Sequence, residues 1–188
     1  MRKTILRLLP FVLCTALPQG CVVTMEDHII SEPTIRESTE WKTVRKCSSE
    51  GCYPLVNYFT RGDVSIGIES RNDVKEKVFL ISTHFLVSNK VEFTFDPSLA
   101  TVELADHTVL RAKGFTCSYT IADVNYLGST PPLTGQISIQ KNDCFLLFFD
   151  APPPRVEEQF VLKFNGVTKR GQPFDIPEVI FRKGVSRY

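Results

Sequence analysis

Acid–base or nucleophilic chemistry needs a histidine, a thiol or a paired carboxylate held near a substrate, and this chain offers few. Its three histidines, His28, His84 and His107, are far apart, so no two have metal-ligand spacing. Asp106 and His107 are neighbours, but they fall between Leu104 and Val109 where a hairpin should reverse. Aspartate favours such turns because its carboxylate bonds its own backbone. No G-x-S-x-G nucleophile elbow, H-E-x-x-H helix or phosphate-cradling P-loop occurs. The residues imply no enzyme, no metal and no cofactor. Arg61-Gly62-Asp63 spells an adhesion tripeptide, yet glycine and aspartate at a strand entrance serve a turn equally well. Lys163, Lys169, Arg170, Arg182, Lys183 and Arg187 gather towards the C-terminal end. They form a candidate anion-binding patch for phosphate groups of lipid or glycan, although Glu157, Glu158 and Glu178 are interleaved with them.

How the six cysteines are read depends on the compartment, and the first twenty residues bear on that. Arg2, Lys3 and Arg7 precede an apolar run from Leu8 to Leu17, the anatomy of a secretory signal. The run is broken by Pro10 and falls short of the ~20 apolar residues a membrane span needs. Gly20 before Cys21 resembles the end of a bacterial lipoprotein signal, with Pro18 where that family usually has leucine and Leu17 one place early. The resemblance implies cleavage before Cys21, lipid attachment to its thiol and, with Val22 next, sorting to the outer membrane. Cleavage after Ala16 is the alternative, giving a soluble periplasmic or secreted protein. Of the 22 basic residues three precede Cys21, so 19 would face 21 acidic ones in the mature chain. That balance lacks the basic excess of a nucleic-acid binder.

With Cys21 lipidated, Cys47, Cys52, Cys117 and Cys144 remain, an even number suited to two disulfides. "KCSSEGC" lets Cys47 and Cys52 curl together around Ser48, Ser49 and Gly51, and Cys117 and Cys144 lie on two expected strands. Four cysteines allow three pairings; 47–52 with 117–144 is the expected one. The C-x4-C spacing is not that of a redox or zinc site, so both bridges read as structural.

Behind these residues lies a chain that alternates. "VSIGIES" sets Val64, Ile66 and Ile68 against Ser65, Gly67 and Glu69; "VEFTFD" and "FVLKF" repeat the pattern. One wet and one buried face is the mark of antiparallel strands. "KVFLIS" and "CFLLFF" are instead continuously apolar, which suits central strands covered on both sides. Asp143, Asp150 and Pro152 to Pro154 flank "CFLLFF" as gatekeepers against aggregation. Turn residues recur at short intervals, giving about ten strands between 64 and 182. The expectation is an all-β, antiparallel, immunoglobulin-like β-sandwich over residues 47–188, with a small closed β-barrel as the alternative. Residues 21–46 are polar and mixed in charge and read as a tether, with Trp41 an early packing residue of the domain.

The stretch "FVLKFNGVTKRGQPFDIPEVIFRKG" resembles the final hairpin of uncharacterised proteobacterial envelope proteins, a resemblance that implies no activity. The functional expectation is therefore a non-enzymatic envelope lipoprotein. It would be anchored in the outer membrane facing the periplasm, and its β-domain would bind another envelope protein or a glycan. Fourteen phenylalanines motivate the alternative, a carrier of a small apolar ligand.

Overall fold

Strands take up most of this chain, because β-branched and aromatic side chains alternate along it and pack well on a pleated surface. The computed structural model describes residues 27–33, 40–48, 51–70, 79–88, 91–117, 130–155 and 157–185, with backbone alone over 27–33, 43–48, 51–55 and 183–185. In chain order the strands are β1 (Asp27–Pro33), β2 (Trp41–Ser48), β3 (Gly51–Arg61), β4 (Val64–Ser70), β5 (Phe79–Val87), β6 (Phe93–Phe95), β7 (Thr101–Glu103), β8 (Val109–Arg111), β9 (Lys113–Thr116), β10 (Ile137–Ser138), β11 (Asp143–Phe149), β12 (Phe160–Lys163), β13 (Val167–Lys169), β14 (Gln172–Pro173) and β15 (Val179–Val185). A single 3₁₀ turn, Pro97–Leu99, separates β6 from β7.

All pairings are antiparallel, and they form three sheets ordered β2-β3-β4-β5-β11-β9, β1-β15-β12-β7-β8 and β10-β6-β13-β14. None closes on itself, so the fold is a β-sandwich and not a barrel. The two smaller sheets are one layer with a break. The run β6, 3₁₀ turn, β7 lies beside the run β12, Phe164–Gly166, β13, so that β6 pairs with β13 and β7 with β12. Asp96 holds the break in shape: its Oδ1 accepts from Ser98 N at 3.0 Å and Ser98 Oγ at 2.6 Å. Gly166 has φ +77°, and a Cβ there would come within 2.8 Å of Leu99 Cδ1. Both a left-handed backbone and a close approach demand glycine here.

A single aromatic-rich core fills the space between the layers. Phe79 of the six-stranded sheet meets Phe160 of the other layer at 5.1 Å between ring centroids, and Phe160 stacks on Phe181 at 4.6 Å. Phe85 reaches Phe93 and Phe95 across the break at 6.0 and 5.3 Å. Trp41 packs on Phe59 at 5.5 Å, as expected of an early packing residue. The described parts of the two continuously apolar runs are covered on both faces: Leu80, Leu146 and Phe115 form a second buried cluster on the far side of the six-stranded sheet.

The boundary expected between residues 46 and 47 needs correction. Residues 21–46 are not tether throughout, because β1 pairs with β15 from Asp27 to Pro33 and β2 begins at Trp41. The sandwich thus reaches upstream of residue 47. These segments escaped the reading because outermost strands are held by backbone hydrogen bonds and carry polar side chains. Twelve described strands, β4 to β15, begin between residues 64 and 182, where about ten were expected; β10 and β14 are only two residues long.

Candidate functional site

On β5 the odd residues Phe79, Ile81, Thr83, Phe85 and Val87 enter the core, so Ser82 and His84 project from the opposite, outer face. The register sets Cys144 of β11 directly across from His84, and Gly67 of β4 across from His84 on the other side. The Tyr58 ring lies over Gly67, where a Cβ would come within 2.7 Å of Tyr58 Cε1. Cys144 is disulfide-bonded to Cys117 at the end of β9, with Cα atoms 5.2 Å apart and Cys117 N donating to Cys144 O at 2.9 Å. Ser82 Oγ and His84 Nε2 are 3.1 Å apart, and each approaches Cys144 Sγ, at 3.8 and 3.9 Å. A hydroxyl and an imidazole therefore converge on one sulfur of the bridge and not on the other. Ser82 itself is fully buried, which withholds its hydroxyl from any substrate in solution. Sequence spacing did not single out His84 or Ser82. Their i, i+2 relation on an alternating strand opposite a cysteine was the signal available.

The other candidates are placed as follows. The expected 117–144 bridge is present. Register places Cys47 opposite Cys52 across the β2–β3 hairpin; their side chains, and Cys21, lie outside the described residues. The Arg61-Gly62-Asp63 tripeptide is the β3–β4 hairpin turn, with Gly62 at φ +64°. Both of its charged side chains are engaged. Arg61 Nε and Nη2 donate to the Glu40 carboxylate at 2.5 and 3.0 Å, Nη1 donates to Asp175 O at 2.7 Å, and the guanidinium lies over Phe59 and Phe174. Asp63 pairs with Lys169. The Arg61 hydrogen bond lowers the Glu40 pKa, and that of Lys169 lowers the Asp63 pKa.

The candidate anion patch is spread out. Lys163 is on β12 and Arg182 and Lys183 on β15, whereas Lys169 ends β13 and Arg170 opens the tight turn to β14 with φ +54°. Lys163 Nζ sits 2.9 Å from Glu103 Oε2 and 3.3 Å from Glu178 Oε1, which hold its charge and raise its pKa. The side chain of Lys183 and all of Arg187 lie outside the described residues. Asp106 and His107 do form a hairpin tip: Asp106 Oδ1 accepts from Thr108 N at 2.9 Å, and His107 has φ +65°. His107 Nδ1 lies 3.1 Å from Glu103 Oε1. His28 is on β1, opposite Gly184. Among the described residues no group of acidic, histidine and cysteine side chains could hold a metal ion, and no helix is long and apolar enough to cross a membrane.

Comparison with profiles of known protein families, with curated proteins and with solved structures found no match.

Proposed function

We propose that this chain is an exported, non-catalytic envelope lipoprotein, anchored in the outer membrane by lipid on Cys21, whose β-sandwich binds another envelope protein or a glycan. The observation that carries the reading is the Cys117–Cys144 bridge within the folded body, a bond that persists in oxidising compartments outside the cytosol. It agrees with the signal-like residues ahead of Cys21. The described phenylalanines favour a binding module over a carrier. Those that motivated an apolar chamber pack against one another, as in Phe79–Phe149 at 4.9 Å and Phe95–Phe145 at 6.0 Å.

Intact mass of the protein from a membrane fraction, followed by crosslinking in the envelope, tests this reading. The expected result is a chain beginning at Cys21, heavier by acyl chains, that crosslinks reproducibly to one envelope component. An unmodified chain beginning at Leu17, or repeated recovery of the protein alone, would refute it.

A further inference from the structure

A disulfide is opened by a thiolate approaching in line with the S–S bond, and the sulfur that leaves faster is the one whose thiolate is better stabilised. The two sulfurs of Cys117 and Cys144 differ on both counts. Among the described residues β9 is the outermost strand of its sheet, while β11 lies between β9 and β5. Beyond β9, among the described residues, the neighbouring backbone is an isolated bridge from Gly114 to Leu133. The bond from Cys144 to Cys117 spans β11 and β9, so in-line attack on Cys117 comes from the outer side of β9. In-line attack on Cys144 would have to come from the side of β5, where Ser82 and His84 already stand 3.8 and 3.9 Å from its sulfur.

We propose that the Cys117–Cys144 disulfide is a directional thiol-exchange site, at which an incoming thiolate attacks Cys117 and Cys144 departs towards Ser82 and His84. The new bond joins the attacking sulfur to Cys117 Sγ. The electron pair of the broken bond stays on Cys144 Sγ, which accepts hydrogen bonds from Ser82 O–H and His84 Nε2–H. Charge on the sulfur shortens and strengthens such contacts. The step is an exchange, with no net oxidation, and its co-reactant is any accessible thiol, small or protein-borne. A second thiolate attacking the incoming sulfur of the mixed disulfide would release Cys117 as a thiolate and leave the two external thiols joined as a disulfide, which completes reduction of the bridge to two thiols. Both cysteines are half-buried, exposed enough to meet a thiol yet held in a defined orientation.

The test uses the purified protein and glutathione, with rapid alkylation and peptide mapping that separates the Cys117 peptide from those of the other cysteines. Glutathione is expected on Cys117 and the alkylating group on Cys144, in the native protein without denaturant. His84→Asn should slow the exchange roughly tenfold, about the effect of losing one hydrogen bond to the departing Cys144 thiolate. Circular dichroism confirms that the variant is folded, and the wild-type adduct position needs no variant. Glutathione on Cys144, an even split, exchange only after unfolding, or an unchanged rate in folded His84→Asn would each overturn the proposal. The readout is independent of any envelope partner or lipid anchor.

Discussion

Gly114 stands in β9 with ordinary strand backbone, so alanine there meets no conformational penalty and only a steric one. A Cβ built on it falls 2.2 Å from Pro97 Cβ and 2.8 Å from Pro97 Cγ. Pro97 cannot swing aside, because its ring is part of the backbone of the 3₁₀ turn and is buried. β9 must retreat instead, and that strains its pairing with β11 and the hydrogen bond from Leu133 N to Gly114 O, 2.8 Å long. Overpacking of this kind costs about 1–3 kcal/mol, and a rigid neighbour at such short range places this case at the upper end. Alanine returns roughly 0.4–1 kcal/mol by restricting the unfolded chain. The net expectation for Gly114→Ala is a loss of about 2 kcal/mol, or a midpoint lowered by about 4–8 °C in a chain of this size. Gly67→Ala is the control. Its Cβ would meet Tyr58 Cε1 at 2.7 Å, but that ring is the end of a rotatable side chain on the outer face and can turn away, so the cost should stay below about 1 kcal/mol. Urea unfolding followed by the fluorescence of Trp41, the single tryptophan, measures both. A Gly114→Ala protein as stable as wild type, or a Gly67→Ala protein that loses more, would refute the steric argument.

Removing the bridge with Cys117→Ala/Cys144→Ala should cost about 3.5 kcal/mol in the chain-entropy model for a 27-residue separation; a chemical-denaturation loss under 1 kcal/mol would contradict it. Glu40, Asp63 and Glu103 titrate below their ordinary values of 4.5, 3.8 and 4.5, chiefly through hydrogen bonds from Arg61, Lys169 and Lys163 respectively. The unfolded chain therefore takes up protons first as pH falls, so their stabilisation is complete above those ordinary values and is lost as pH drops through the lower folded ones. Thermal midpoints between pH 7 and 3 should fall less steeply for Glu40→Gln/Asp63→Asn/Glu103→Gln than for wild type, and high salt should narrow the gap; parallel curves would sink this account. Trp41 Nε1 is buried with no hydrogen-bond partner among the described residues, so Trp41→Phe, which keeps a ring against Phe59, should change stability by no more than about 1 kcal/mol in circular-dichroism melts.

The all-β sandwich was legible because alternation reports a one-sided strand directly, as in Val64, Ile66 and Ile68, all of which are fully buried. The hairpin turns were legible for a related reason: Gly62 and the Asp106–His107 pair carry their backbone geometry in their residue types. β1 was not, since "DHIISEP" holds its place through backbone bonds to β15, and polar side chains are common on an outermost strand. Nor was the break between β6 and β7 visible, because it follows from which strands lie side by side and that depends on the return of β12 and β13 some 60 to 75 residues later. The Cys117–Cys144 bridge could be anticipated from parity and expected strands. The neighbours of Cys144 could not, as Ser82 and His84 lie about 60 residues away in sequence and reach it only through the β5–β11 register.

The proposed exchange site lies beside the outermost described strand of the six-stranded sheet, outside the aromatic core. The interior is taken up by aromatic rings from both layers, and the ion pairs of Arg61, Lys163 and Lys169 join neighbouring strands and turns outside it. Besides its backbone pairing with β11, β9 has two unlike fastenings: its disulfide to β11 at one end, and the close seat of Gly114 on Pro97 a few residues before. A thiol that opens the bridge removes the covalent fastening and leaves the packing one. Fastenings that share a strand are not additive, so β9 should remain seated after exchange in wild type but fray once Gly114 also carries a methyl group. Hydrogen exchange at Phe115 and Thr116 reads this directly, with protection surviving reduction in wild type and lost on reduction in Gly114→Ala. Equal loss in both would mean that the disulfide alone holds the strand, and that opening it releases the edge of the six-stranded sheet.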